Sequence, residues 1–149
     1  MSEVLFYHLE HQTLDDVLPL LLEKTLARGW RAVVEVSDES VRDHLDRHLW
    51  TYRDESFLPH AKEGDGPGER QPVWLTIGPD NPNGAAVRFL ADRAAPHDIE
   101  AYERVILLFS AEDQAAVTEA RSHWKTLNAA GHDCTYWRQT GAGRWEKKA

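Results

Sequence analysis

Hydrophobic positions along the chain fall into short apolar runs separated by amphipathic stretches, a rhythm that predicts alternating strands and helices. Residues 4–9, Val-Leu-Phe-Tyr-His-Leu, are aromatic and branched enough to predict a largely buried first strand. Thr13, with Asp15 and Asp16 behind it, marks a helix start, and Leu14, Val17, Leu18, Leu21, Leu22 and Leu26 then recur at helical spacing up to Gly29. Pro19 lies inside that pattern, where it predicts either a kink in the early turns or a helix that starts nearer Leu18. Residues 31–36 read as a second strand, covered on both faces because Ala32, Val33, Val34 and Val36 are nearly continuous.

Ser37 and Asp38 can cap a second helix running to about Leu49, with Val41 and Leu45 facing inward. Residues 62–72 are rich in Gly and Pro and predict a flexible surface loop. Strands are predicted over 73–77 and 87–90, with a turn over 78–84 between them, and the strongest strand signal covers 104–109. A capped helix over about 112–130 is stopped by Gly131, a last strand occupies 133–139, and residues 141–149 read as a charged tail. This alternation predicts an α/β fold: one domain over 1–149, a mainly parallel sheet with helices on both faces and right-handed crossovers.

Composition narrows the function. A chain of 149 residues, 42% hydrophobic, supports one sizeable core. Its 25 acidic and 17 basic side chains leave a charge of −8, which argues against a sequence-independent grip on phosphate backbones, so any contact with DNA is expected to be indirect. The single cysteine, Cys134, excludes an internal disulfide and a cysteine-based zinc site and fits a reducing compartment. With no basic leader and no apolar window of roughly 18 residues, the expectation is a soluble, cytoplasmic protein that does not enter a membrane.

The α/β pattern invites a nucleotide site, but the phosphate-binding signatures are missing. Gly64, Gly66 and Gly68 are interrupted by Pro67 and precede a strand, whereas a phosphate cradle follows one, and residues 10–13 between the first strand and helix contain no glycine. The expected fold is a Rossmann-like α/β sheet without a phosphate-binding loop. His44 and His48 have the i, i+4 spacing of a helix-borne metal pair, yet they share a stripe with Val41 and Leu45 and no third ligand is set by the sequence. Cys134 sits in a predicted strand, where a buried inert thiol is the common outcome, and the pairs Asp15-Asp16 and Glu112-Asp113 suit helix N-termini without acid–base work. No catalytic residue, metal or cofactor is expected.

Six tryptophans are many for this length. On the last helix Ala116, Ala120 and Leu127 form the inward stripe, with Val117 and Trp124 at its edge and Arg121 and Lys125 offset from Trp124 by about 60–100°. An aromatic shelf beside two cations suits a short peptide with an apolar end and a free carboxylate, although an amphipathic helix with a solvated basic flank has the same periodicity.

Three stretches together resemble the chi subunit family of bacterial DNA polymerase III holoenzyme: residues 4–9; residues 49–60, where Leu49-Trp50 is followed by Ser56-Phe57-Leu58-Pro59-His60; and Arg121-Ser122-His123-Trp124-Lys125 followed by Gly131. The resemblance implies a non-catalytic accessory subunit of the replicative polymerase. Such a subunit bridges the clamp loader, through the psi subunit or another replication or repair protein, to the acidic C-terminal tail of single-stranded DNA-binding protein. In that scheme Arg121 holds the tail carboxylate, Trp124 walls the pocket for the terminal apolar side chain and Lys125 steers the acidic residues. Val117 belongs to the same patch, one turn before Arg121, where some family members carry another Lys. Trp50, Phe57, Leu58, Pro59 and His60 correspond to the psi surface, with Phe57 as its anchor. Two other readings stand beside this one: a small α/β enzyme or nucleotide binder using the crevice at the strand C-terminal ends, and direct binding of single-stranded DNA on exposed tryptophans.

Overall fold

The structure, a computed structural model, describes residues 2–51, 59–62, 64–66, 68–140 and 144–149. In chain order the elements are β1 (Glu3–Leu9), α1 (Leu14–Ala27), β2 (Ala32–Glu35), α2 (Glu39–Thr51), β3 (Ala61–Lys62), β4 (Val73–Thr76), β5 (Val87–Leu90), β6 (Arg104–Ser110), α3 (Gln114–Ala129), β7 (Asp133–Gln139) and β8 (Trp145–Lys147), with a 3-10 turn at Ile99–Ala101. The strands join one sheet in the order β3-β4-β2-β5-β6-β1-β7-β8. Every pairing is parallel except that of β8, which runs antiparallel to β7.

Because successive strand side chains alternate between faces, the continuous apolar runs feed two cores. On one face Leu18 and Leu22 of α1 and Leu45 and Leu49 of α2 pack on Val34, Leu75, Phe89, Ile106 and Leu108. On the other, Ala116, Val117 and Ala120 of α3, together with Ile99 and Tyr102, pack on Val4, Phe6, Val33, Leu107 and Phe109. The α/β architecture with helices on both faces thus follows from the alternation of apolar runs and amphipathic stretches.

Three local features differ from the sequence expectation. First, α1 starts at Leu14 and carries Pro19 in its interior. Proline has no N–H, so the Asp15 carbonyl lacks its i+4 donor. The Nε2 of His48 on α2 lies 2.7 Å from that carbonyl oxygen and supplies the missing bond. Second, the charged tail contains β8: Trp145 packs edge-to-face on Tyr7 at 4.8 Å, and Trp137 pairs with Lys147 across the ladder. Third, the loop beginning near residue 62 overlaps β3, and its Gly68 is held closely. A Cβ there would lie 2.7 Å from Pro82 Cγ, so only glycine lets this loop pass over the turn before β5.

Arg88 on β5 is fully buried, a position the pattern of the sequence does not announce. Its guanidinium donates to the Glu35 carboxylate, to the carbonyl oxygens of Asp80 and Gly78, and to the Tyr102 hydroxyl. Those bonds satisfy the buried charge and tie the β4–β5 turn to the sheet.

Candidate functional site

Helix α3 is built to begin and end where it does. Asp113 accepts from the Ala116 backbone N–H at 3.1 Å, an N-cap. At the other end Gly131 adopts φ +88°, with Gly131 N–H bonding Asn128 O and His132 N–H bonding Leu127 O, the paired bonds of a Schellman stop. Between these caps the helix buries Ala116, Val117 and Ala120 and turns Arg121 and Lys125 to solvent.

The parallel register places Phe6 beside Tyr136 and His8 beside Arg138, on the sheet face that α3 covers. Trp124 stands on those strands, its ring edge-to-face with Phe6 at 5.3 Å and with Tyr136 at 5.8 Å. The Tyr136 hydroxyl is 2.7 Å from His8 Nδ1, and His8 stacks on Phe109 at 4.9 Å. A cleft of about 430 Å³ opens here, lined by Arg121, Trp124 and Lys125 of α3, His8 and Glu10 of β1 and its exit, Tyr136 and Arg138 of β7, and Lys148 and Ala149.

The cleft is electropositive. Four of its lining side chains, Arg121, Lys125, Arg138 and Lys148, are cations and one, Glu10, is a carboxylate, already bonded to Arg138 at 3.1 Å. Burial, only partly countered by Glu10, lowers the His8 pKa below its ordinary 6.5, and the cations Arg138, Arg121 and Lys148 push the same way. Burial raises the Tyr136 pKa above its ordinary value, with Arg121 opposing. At neutral pH the floor is therefore an uncharged imidazole and an uncharged phenol beneath a ring of cations, a setting for an anionic ligand with an apolar end.

The structure brings Arg121, Trp124 and Lys125 together at this cleft. Val117 is corrected: 6% exposed, it packs in the core beneath α3 and does not line the cleft, because at the next-lower turn that face of the helix meets the sheet. His8, Glu10, Tyr136, Arg138 and Lys148 were missed by sequence reasoning. Alternation along residues 4–9 and 133–139 puts Phe6 with His8 and Tyr136 with Arg138 on shared faces, but only the β1–β7 pairing joins the two sets.

The second predicted surface is divided. Trp50, at the end of α2, is 48% exposed, and Pro59 is half-buried. His60 is corrected: its side chain is buried, with Nε2 3.0 Å from the Asp46 carbonyl oxygen, and it serves as the platform on which the Trp50 ring rests at 4.1 Å rather than as an outward contact. Phe57 and Leu58 lie outside the described residues.

The crevice at the strand C-terminal ends, about 300 Å³, is lined by Leu9, Gln12, Arg93, Phe109 and several carboxylates, among them Glu10, Asp92, Glu112 and Asp113. At the β1–α1 turn the backbone N–H groups of Glu10, His11 and Gln12 all point at one oxygen, Oε1 of Gln139, at 3.1, 2.9 and 3.1 Å. Converging N–H groups at such a turn are where a nucleotide-binding protein seats a phosphate. Here a side-chain amide, 1% exposed, occupies that seat.

The remaining candidates are structural. His44 Nε2 lies 2.6 Å from the Asp15 carboxylate and His48 holds the Asp15 carbonyl, so both imidazoles brace α2 against α1. Among the described residues no cluster of three potential ligands is placed to hold a metal ion. Burial and the neighbouring Asp133 raise the Cys134 pKa, which keeps the sulfur a thiol. No helix of the described residues is long and apolar enough to cross a membrane.

Comparison with known proteins returns one family. The family described as "DNA polymerase III chi subunit, HolC" matches residues 1–135. The DNA polymerase III subunit chi of Pseudomonas aeruginosa is 29% identical over 113 residues, 75% of this chain and 77% of that protein. The corresponding protein of Escherichia coli (strain K12) is 33% identical over 82 residues, 50% of this chain and 56% of that protein. The probable DNA polymerase III subunit chi of Rickettsia prowazekii is 29% identical over 87 residues, 58% of this chain, and the match spans about half, 53%, of that protein's length.

Proposed function

The chain belongs to the DNA polymerase III chi subunit family, and from that premise we propose that it is a non-catalytic accessory subunit that captures the acidic C-terminal tail of single-stranded DNA-binding protein in the α3 cleft. The observation that carries this reading is the cleft's composition: an apolar wall, Trp124, beneath four cationic side chains and, among the described residues, a single carboxylate side chain that is already bonded to Arg138. A tail ending in an apolar residue presents both a side chain for Trp124 and a free carboxylate for Arg121, whose planar fork can hold it with two parallel hydrogen bonds. Neither Arg121 nor Lys125 makes an ion pair among the described residues, so both are available to a ligand. Lys125, Arg138 and Lys148 draw in the acidic residues that precede the terminus and speed encounter.

The bridge needs a second contact, and the exposed Trp50 beside Pro59 supports psi or another replication protein docking there. With a net charge of −8, the protein reaches DNA through another protein's tail and works in the cytoplasm. The occupied N–H seat at the β1–α1 turn weighs against the nucleotide-binding alternative.

The test is a titration with a fluorescent peptide of the host's single-stranded DNA-binding protein tail, run beside the same peptide lacking its last residue. The full tail binds and the shortened one does not, affinity falls as salt rises, and Arg121→Ala weakens binding by about tenfold or more. Equal binding of both peptides, or no loss in Arg121→Ala, would refute the carboxylate clamp.

A further inference from the structure

We propose that the groove between α1 and the β7–β8 edge, on the sheet face opposite the α3 cleft, is a second docking surface. Its occupant is an acidic segment of a partner protein that lays one bulky apolar side chain against the wall formed by Tyr7, Trp137 and Trp145. The groove holds about 490 Å³ and is also lined by Leu5, Leu21 and Ile106 and by the cations Lys24, Arg28 and Arg104. This inference is independent of tail capture and uses none of the residues of that cleft.

Two observations show that this face is built for contact. On β1 the residues under α3, Val4 and Phe6, are fully buried, whereas Leu5 and Tyr7 on the α1 side are only half-buried. Helix α1 lies against β2 and β6 and leaves Trp137 and Trp145 half-exposed at the sheet edge. Large aromatic side chains left partly open in one concave patch are the commonest anchors of partner recognition.

Charge decides the partner. The protein is acidic overall, yet among the described residues none that lines this groove is acidic. Arg104 is partnered by Glu3 at 2.9 Å, while Lys24 and Arg28 form no ion pair among the described residues. The guanidiniums of Arg28 and Arg104 each lie over the Trp30 ring, at 4.7 and 5.3 Å from its centre, which anchors both cations at the foot of the groove. Lys147, opposite Trp137 in the ladder, adds a fourth cation on the same face. The aromatic compartment beside a basic one matches an apolar anchor flanked by carboxylates.

A single strand of nucleic acid fits less well. Tyr7 and Trp145 pack edge-to-face at 4.8 Å and so form walls, whereas a base needs an open ring face to stack upon. Lys24, Arg28 and Arg104 gather where α1 ends and β6 begins, and a phosphate backbone needs cations spread along its track.

The experiment follows the indole N–H signals of the full chain, labelled at tryptophan and assigned by single Trp→Phe variants, during titration with acetyl-Asp-Asp-Asp-Phe-Gly-amide. The blocked ends deny the α3 cleft its terminal carboxylate. The expected result is movement of the Trp137 and Trp145 signals with Trp124 unmoved, and an affinity about tenfold or more weaker in the Lys24→Glu/Arg28→Glu double variant. In that variant the Trp74 and Trp124 signals keep their positions without ligand, which shows the fold intact whether or not the α3 cleft binds a tail. Movement of Trp124 alone, no movement at millimolar peptide, or movement of Trp137 and Trp145 by a thymidine oligonucleotide but not by the peptide would each overturn it.

Discussion

His8 shows how a single side chain takes its chemistry from its surroundings. Its imidazole is stacked on Phe109 and bonded to the Tyr136 hydroxyl, and burial, only partly offset by Glu10 and reinforced by Arg138, Arg121 and Lys148, disfavours the charged form in the folded protein. The unfolded chain takes up a proton near the ordinary value of 6.5 that the folded chain resists. The stabilising contribution is therefore complete above that value and is lost as pH falls below it toward the folded-state pKa. Thermal melts at pH 7 and pH 5 will show a drop in stability that is smaller in His8→Gln. An equal drop in both proteins would assign the loss to other groups.

The pairing of α1 with α2 is an arrangement of elements, since its parts compensate one another. Pro19 removes a donor from α1 and His48 on α2 replaces it at the Asp15 carbonyl, while His44 takes the Asp15 carboxylate. The proline is tolerated in the helix interior because a neighbouring helix meets the need it creates. A double-mutant cycle should expose this. His48→Ala in the native chain leaves a carbonyl short of its bond, but in Pro19→Ala the restored N–H covers the loss, giving a coupling of about 1 kcal/mol in denaturant unfolding. Strict additivity of the two substitutions would show that the His48 bond does not answer the proline.

At the scale of the molecule, β7 joins distant parts of the chain. Gln139 at its end holds the β1–α1 turn through three backbone N–H groups and reaches Gln12 with its own amide N–H at 2.7 Å. Gln139→Leu keeps the size of the side chain but leaves those donors without an acceptor, at a cost of about 1–3 kcal/mol in chemical unfolding. An unchanged midpoint would mean that solvent meets the same need. Much of this architecture is legible in the chain itself. The strands β1, β2 and β6 and the three helices are written in local periodicity, because burial of one stripe or of both faces leaves a spacing of apolar residues. Helical geometry sets Arg121, Trp124 and Lys125 on neighbouring positions of α3, but that periodicity equally describes a solvated basic flank, and only the family resemblance singled the three out. Other features were not. The charged run at the end becomes β8 only by pairing with β7, and its composition carries no strand signal strong enough to say so. His60 reads as part of a partner-surface motif and is buried under Trp50; Val117 reads as an edge residue of the α3 stripe and is core. The floor of the cleft joins His8 to Tyr136 across 128 positions, and the groove behind it joins Tyr7 to Trp145. Local sequence settles which segments are strands or helices and which side chains share a face, because those depend on neighbours within a turn or two. Which faces meet is a matter of sheet order and register, set by the packing of the whole chain, and both the cleft and the groove exist only at that level.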